Sequence, residues 1–110
     1  MAGIPAESDD VSDIRRLALD PSKVRTTATV KYDLLGRQLT KDEVCEAIVK
    51  WIDDGKRVKA VVLHSGLDAG ITAYEMKPRI GDIRLYVKVK MRDVGQSNEL
   101  LILISAHPDH

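Results

Sequence analysis

The spacing of apolar residues changes period once along this chain, near residue 56. Before that point apolar side chains recur every three to four positions; after it they alternate with polar ones. Residues 8–19, "SDDVSDIRRLAL", place Val11, Ile14, Leu17 and Ala18 on one helical face. Ser8, Asp9 and Asp10 suit the helix start, and Pro21 stops it. Residues 40–54 give the clearest helix. Thr40 and Glu43 form a capping box in "TKDE", Val44, Ala47, Ile48, Trp51 and Ile52 make one apolar stripe, and Gly55 ends it. Between these helices, residues 24–36 ("VRTTATVKYDLLG") read two ways. Val24, Thr26, Ala28, Val30, Tyr32 and Leu34 alternate as in a strand, whereas Thr26 or Thr27 can cap a helix that Gly36 ends. The alternation alone leans to strand.

From residue 56 the pattern predicts strands. "KRVKAVVLH" alternates, "SGLDAG" is a turn, and "ITAYEMK" is a short strand closed by Pro78. "DIRLYVKVKMRD" alternates most cleanly: Ile83, Leu85, Val87, Val89 and Met91 face inward; Arg84, Tyr86, Lys88, Lys90 and Arg92 face outward. The polar loop "VGQSNE" leads to "LLILISAHPDH", whose run from Leu100 to Ile104 reads as a strand buried on both faces. So short a connection implies an antiparallel hairpin. Helices first and strands after predict an α+β domain, with two or three N-terminal helices packed on one face of an antiparallel sheet of three to four strands. The chain reads as a single domain over 1–110, with 1–7 a flexible acidic lead.

A chain of 110 residues with 44% hydrophobic side chains is enough for one core. One Trp, three Tyr and no Phe make that core aliphatic and leave few platforms for stacking bases. The single cysteine, Cys45, excludes an internal disulfide and fits a reducing compartment; beside the apolar stripe of its helix it reads as a small core residue, not a nucleophile. No apolar leader and no run near the ~20 residues of a membrane span are visible, so a cytoplasmic protein without a membrane partner is expected. Net charge is zero but unevenly spread. Residues 1–55 hold 8 basic and 11 acidic side chains, residues 56–92 hold 9 and 3, and residues 93–110 hold 0 and 3. A basic middle can present a positive face on a neutral protein.

The outward face of strand 83–91 and its neighbours carries Arg84, Lys88, Lys90 and Arg92 with Tyr86 among them. Like charges in a row repel, and a visiting polyphosphate relieves the repulsion. Two of the three histidines stand in the closing "HPDH". If strands 83–91 and 99–107 pair, Tyr86 and His107 fall near one another, and a bulge in the hairpin decides whether they share a face. Histidine is suited to proton transfer near neutral pH. His107, Asp109 and His110 are too closely spaced around a proline to fit one ion, and no metal or other cofactor is expected. His64, at a strand edge before a glycine turn, reads first as a capping polar residue and second as a substrate contact. No phosphate-binding glycine loop, nucleophile elbow or zinc-binding motif is present. A set of Lys, Arg, His and Tyr without metal suits RNA cleavage, where the ribose 2′-hydroxyl is a built-in nucleophile.

Three stretches taken together, "KVRTT" at 23–27, "KPRIGDIRLYVKVKM" at 77–91 and "LLILISAH" at 100–107, with a helix carrying "VCEAI" between the first two, resemble the MqsR-like ribonuclease toxins, part of the RelE- and barnase-related (BECR) group. The resemblance implies a helix over 26–35, metal-independent cleavage of mRNA, in some cases ribosome-associated, and control by a cognate antitoxin protein. It matches the family's strand tyrosine to Tyr86, with Lys88 two places on, and a terminal-strand lysine to His107. A family lysine falls among Lys56, Arg57 and Lys59; a family glutamine has no counterpart, since Thr72 or Ala73 stands there. The expected enzyme is thus a toxin-like endoribonuclease. Tyr86, His107 and Lys88 would be catalytic, and Lys56, Lys59, His64, Arg79, Arg84, Lys90 and Arg92 would contact substrate. The alternative is a non-catalytic RNA- or protein-binding module on the same basic face.

Overall fold

The three helical and strand-forming zones of the sequence fold around one sheet. The computed structural model describes residues 3–64, 66 and 68–109. In chain order the elements are β1 (Ile4–Pro5), α1 (Ser8–Ala18), a single 3-10 turn (Pro21–Lys23), β2 (Val24–Thr26), α2 (Ala28–Gly36), α3 (Lys41–Asp53), β3 (Lys59–Val62), β4 (Thr72–Met76), β5 (Arg79–Ile80), β6 (Ile83–Arg92) and β7 (Leu100–Pro108). The strands lie in the order β1-β3-β4-β6-β7-β2, with β5 pairing β6 off this path. All pairings are antiparallel except β2 with β7.

The α+β class holds, but the sheet has seven strands where periodicity indicated three to four. The additional ones, β1, β2 and β5, are two or three residues long. Segments that short carry no readable alternation; their backbone groups become strand only because a longer strand offers partners. β1 lies within the stretch 1–7, where Ile4 pairs with Ala60 and Pro5 with Lys59.

The ambiguous stretch 24–36 divides between its two readings. Val24, Arg25 and Thr26 run parallel to Leu101, Ile102 and Leu103, and the Thr27 amide still donates to the Leu103 carbonyl at 3.2 Å. Thr27 then caps α2, its hydroxyl accepting from the Val30 amide at 3.3 Å. In α2, Val30 and Leu34 are buried while Tyr32 is 81% exposed. Positions 30 and 34 belong to both a two-residue and a four-residue period, so alternation could not separate strand from helix here.

The two other helices follow the sequence closely. α3 has the Thr40–Glu43 capping box in full, and Gly55 beyond its end has φ +73°, a left-handed conformation that suits glycine. Side chains of all three helices (Ile14 and Leu17, Val30 and Leu34, Val44 and Ile48) enter one core with Tyr74, Met76, Leu85, Val87, Val89, Leu101, Leu103 and Ala106 of the sheet. Cys45 is in that core, and burial pushes its thiol up to about 11. The inward face of β6 is as expected in its middle, but Ile83 at its start is 39% exposed.

One polar knot ties the helical layer to the hairpin. Glu99, 6% exposed, accepts from Arg16 of α1 (Oε1 at 2.9 Å), from Lys23 of the 3-10 turn (3.2 Å) and from the Gly95 amide of the β6–β7 loop (3.1 Å). The Arg16 hydrogen bond, followed by the Gly95 amide, lowers the Glu99 carboxyl to about 2. A depressed folded-state value stabilises the fold fully above the unfolded value of about 4.3, and that contribution is lost as pH falls toward 2. Glu99→Gln is therefore expected to lower the denaturation midpoint near neutral pH. The gap between variant and wild type should close as acid melts are taken down through that window, and a constant gap would contradict the assignment.

Candidate active site

The site begins with a register change. From Arg92 to Val89, β6 pairs with Leu100 to Leu103; from Lys88 onward the pairing shifts by one, leaving Ile104 unpaired. This bulge keeps Leu101, Leu103 and Ala106 on the inner face while turning Ser105 and His107 outward. Without the extra residue, position 107 would lie opposite Leu85 and face the core. With it, Tyr86 and His107 are direct partners, their rings 5.4 Å apart between centroids and tilted by 34°.

The next row of the same face runs Lys59, Glu75, Lys88, Ser105 across four adjacent strands. Tyr86 donates its phenol hydrogen to Glu75 Oε2, and Lys88 Nζ stands 3.8 Å from that same oxygen and 5.7 Å from the Tyr86 ring centre. Burial, then the Glu75 hydrogen bond and charge, raise the Tyr86 phenol well above its ordinary value. In this cluster Tyr86 is thus the hydrogen-bond donor to Glu75. Glu75 accepts that hydrogen bond and stands beside Lys88 on the same face. Sequence reasoning missed it because its relevance depends on β4 pairing beside β6; its signal was only a polar residue between the apolar Tyr74 and Met76.

His107 is exposed, and its Nδ1 lies 3.0 Å from the Pro108 carbonyl oxygen. A carbonyl only accepts, so in this contact Nδ1 is the donor. Glu75, Tyr86 and Lys59 line a cavity of about 440 Å³ with Trp51, Arg57, Met76, Lys77 and Asp109. A neighbouring cavity of about 380 Å³ takes in Lys56, Arg79 and Arg84 and shares Trp51 and Lys77 with the first.

The expected row of unopposed cations is corrected by carboxylates from other elements. Arg84 Nε lies 3.2 Å from Asp109, which Lys77 also approaches at 3.6 Å; Lys90 bonds Asp68 at 2.7 Å and is 14% exposed. Of the remaining substrate candidates, Arg92 sits at the far end of β6 beside Leu100, and His64 lies exposed beyond the far end of β3 from Lys59. The structure thus brings together Tyr86, His107, Lys88 and Lys59, with Lys56, Arg79 and Arg84 next door, and leaves His64, Lys90 and Arg92 apart. Among the described residues no group of three or more His, Cys, Asp or Glu could hold a metal ion; His110 of the closing motif lies outside them. Among the described residues no helix is long and apolar enough to cross a membrane.

Replacing Glu75 with Gln removes the charge that opposes ionisation of Tyr86. The phenol is expected to ionise at lower pH in this variant, read by ultraviolet titration with Tyr86→Phe identifying the relevant transition. An unmoved transition would detach Glu75 from the cluster.

Comparison of this chain with protein-family models, with curated proteins and with solved structures found no match.

Proposed function

We propose that this protein is a small endoribonuclease that cleaves RNA by attack of the ribose 2′-hydroxyl on the adjacent phosphate. The observation that carries the reading is the β7 bulge, which sets a protonatable imidazole beside the Glu75–Tyr86–Lys88 cluster on the open face of the sheet. Glu75 takes the 2′-hydroxyl proton as the O2′–P bond forms. His107, protonated, gives its hydrogen to the departing 5′-oxygen as the P–O5′ bond breaks. Lys88 and Lys59 offset the extra negative charge on the phosphorane, and Tyr86 holds Glu75 in place. The products are a 2′,3′-cyclic phosphate and a free 5′-hydroxyl. The helices-then-sheet order and the Tyr86 and Lys88 matches support a toxin of the RelE- and MqsR-like kind, held in check by a protein antitoxin, with His107 standing where that family carries lysine.

A second reading, a binding module without catalysis, is favoured by one specific feature: Arg84, Lys88 and Lys90 each already stand near a carboxylate. A face of paired opposite charges grips a phosphate more weakly and suits a protein surface of complementary pattern.

The test is incubation with single-stranded RNA in the presence of a chelator. Wild type is expected to yield cyclic-phosphate ends, His107→Ala to cleave roughly 100- to 10,000-fold more slowly, and a 2′-deoxy substitution at the cut site to abolish cleavage. Ends carrying a 3′-hydroxyl, or equal rates for wild type and His107→Ala, would refute the mechanism. Salt-sensitive binding with no product would select the second reading.

A further inference from the structure

The sole tryptophan of the chain stands between the two cavities, and the acid–base cluster does not use it. Trp51 lies in the last turn of α3, half-buried, with its indole Nε1 donating to the Arg57 carbonyl at 3.0 Å. That bond fixes the indole's edge, and the residue, packed against the core on one side, lines both cavities. The outer cavity, between α3 and β5, is walled by Trp51 and Pro78 and edged by Lys56, Lys77, Arg79 and Arg84. At about 380 Å³ it falls at the small end of ligand-binding cavities, which run from roughly 300 to 1,000 Å³.

The charges around it are not equivalent. Lys50 is answered by Asp54 at 3.0 Å, and Lys77 and Arg84 share Asp109. Lys56 and Arg79 have no carboxylate within ion-pair distance among the described residues, and both are exposed. A flat aromatic surface beside two uncompensated cations matches a nucleotide: the base stacks and its phosphate is gripped. Because Trp51 and Lys77 also line the cavity of Glu75 and Tyr86, an RNA strand in one is continuous with the other.

We propose that Trp51 is the stacking platform of a nucleotide subsite, with Lys56 and Arg79 holding the phosphate, that receives an unpaired base flanking the scissile bond. The proposal rests on the ribonuclease reading for the position of that bond, and not for the subsite's chemistry. A base paired in a duplex cannot lie flat on the ring, so the subsite selects single strands.

With one tryptophan, fluorescence excited beyond the absorption of the three tyrosines reports this position alone. Titration with a short single-stranded RNA is expected to quench it, whereas the same sequence as a duplex, or polyglutamate, should quench it far less. Trp51→Leu should weaken binding of a labelled single strand roughly 10- to 100-fold by anisotropy, with Trp51→Phe between it and wild type. Lys56→Ala and Arg79→Ala keep the tryptophan and lie on the surface; each should reduce the slope of log affinity against log salt by about 1. Equal quenching by duplex or polyglutamate, or salt slopes unchanged in both lysine and arginine variants, would overturn the subsite. Cleavage with no quenching removes the subsite and leaves the nuclease. Quenching and variant effects without cleavage keep the subsite and remove the nuclease.

Discussion

A single unpaired residue, Ile104, reconciles two demands on β7 that a regular strand cannot meet together. The core requires Leu101, Leu103 and Ala106 to face the helices, and positions 103 and 106 differ by an odd number. A strict two-residue alternation would bury one and expose the other. The bulge absorbs the mismatch, and the same shift carries His107 to the open side against Tyr86. The apolar packing, not any attraction between the two rings, is therefore what holds the imidazole in position. Fully buried aliphatic side chains are worth about 1.5–3 kcal/mol each, against about 0.5–1.5 for a tilted aromatic pair.

The second organising constraint is charge balance across strands. Along β6 alone the outward side chains carry one sign, and repulsion within that row is real. In the sheet, each of Arg84, Lys88 and Lys90 meets an acid supplied from elsewhere in the chain: Asp109, Glu75 and Asp68. A strand read in isolation shows half of a cross-strand pair. Of the basic side chains between residues 56 and 92, Lys56, Arg57, Lys59, Arg79 and Arg92 have no carboxylate within ion-pair distance among the described residues, so most of the uncompensated charge surrounds the groove beside α3 and little of it lies along the middle of β6.

Much of the fold was legible in the residues. The capping box at Thr40 and Glu43, the stripe of α3, and the alternation of β6 each have a local cause that needs no tertiary partner. The strands β1, β2 and β5 were hidden because their pairing energy comes from distant chain. Val24–Thr26 becomes strand only where β7 offers a free edge, and Ala28–Gly36 becomes helix because Thr27 caps it. In the site, Tyr86, Lys88 and His107 could be named from residue type and place. Glu75 could not, since nothing local marks a lone glutamate in a short strand. Trp51 looked like one more member of an apolar stripe, and only the path from α3 into β3 exposes its ring to a cavity.

β2 has consequences for how the molecule comes together. Val24 meets Leu101 across 77 positions of the 110-residue chain, and among the described residues β2 has no other partner in the sheet. Such long-range closure is entropically slow compared with helix formation or hairpin zippering. During synthesis α1, α3 and the middle strands can gather early, but the segment 24–36 has no edge to dock on until β7 emerges. β7 also delivers His107. Completion of the sheet and arrival of the imidazole are thus one event, and until it occurs the Tyr86 face lacks its His107 partner.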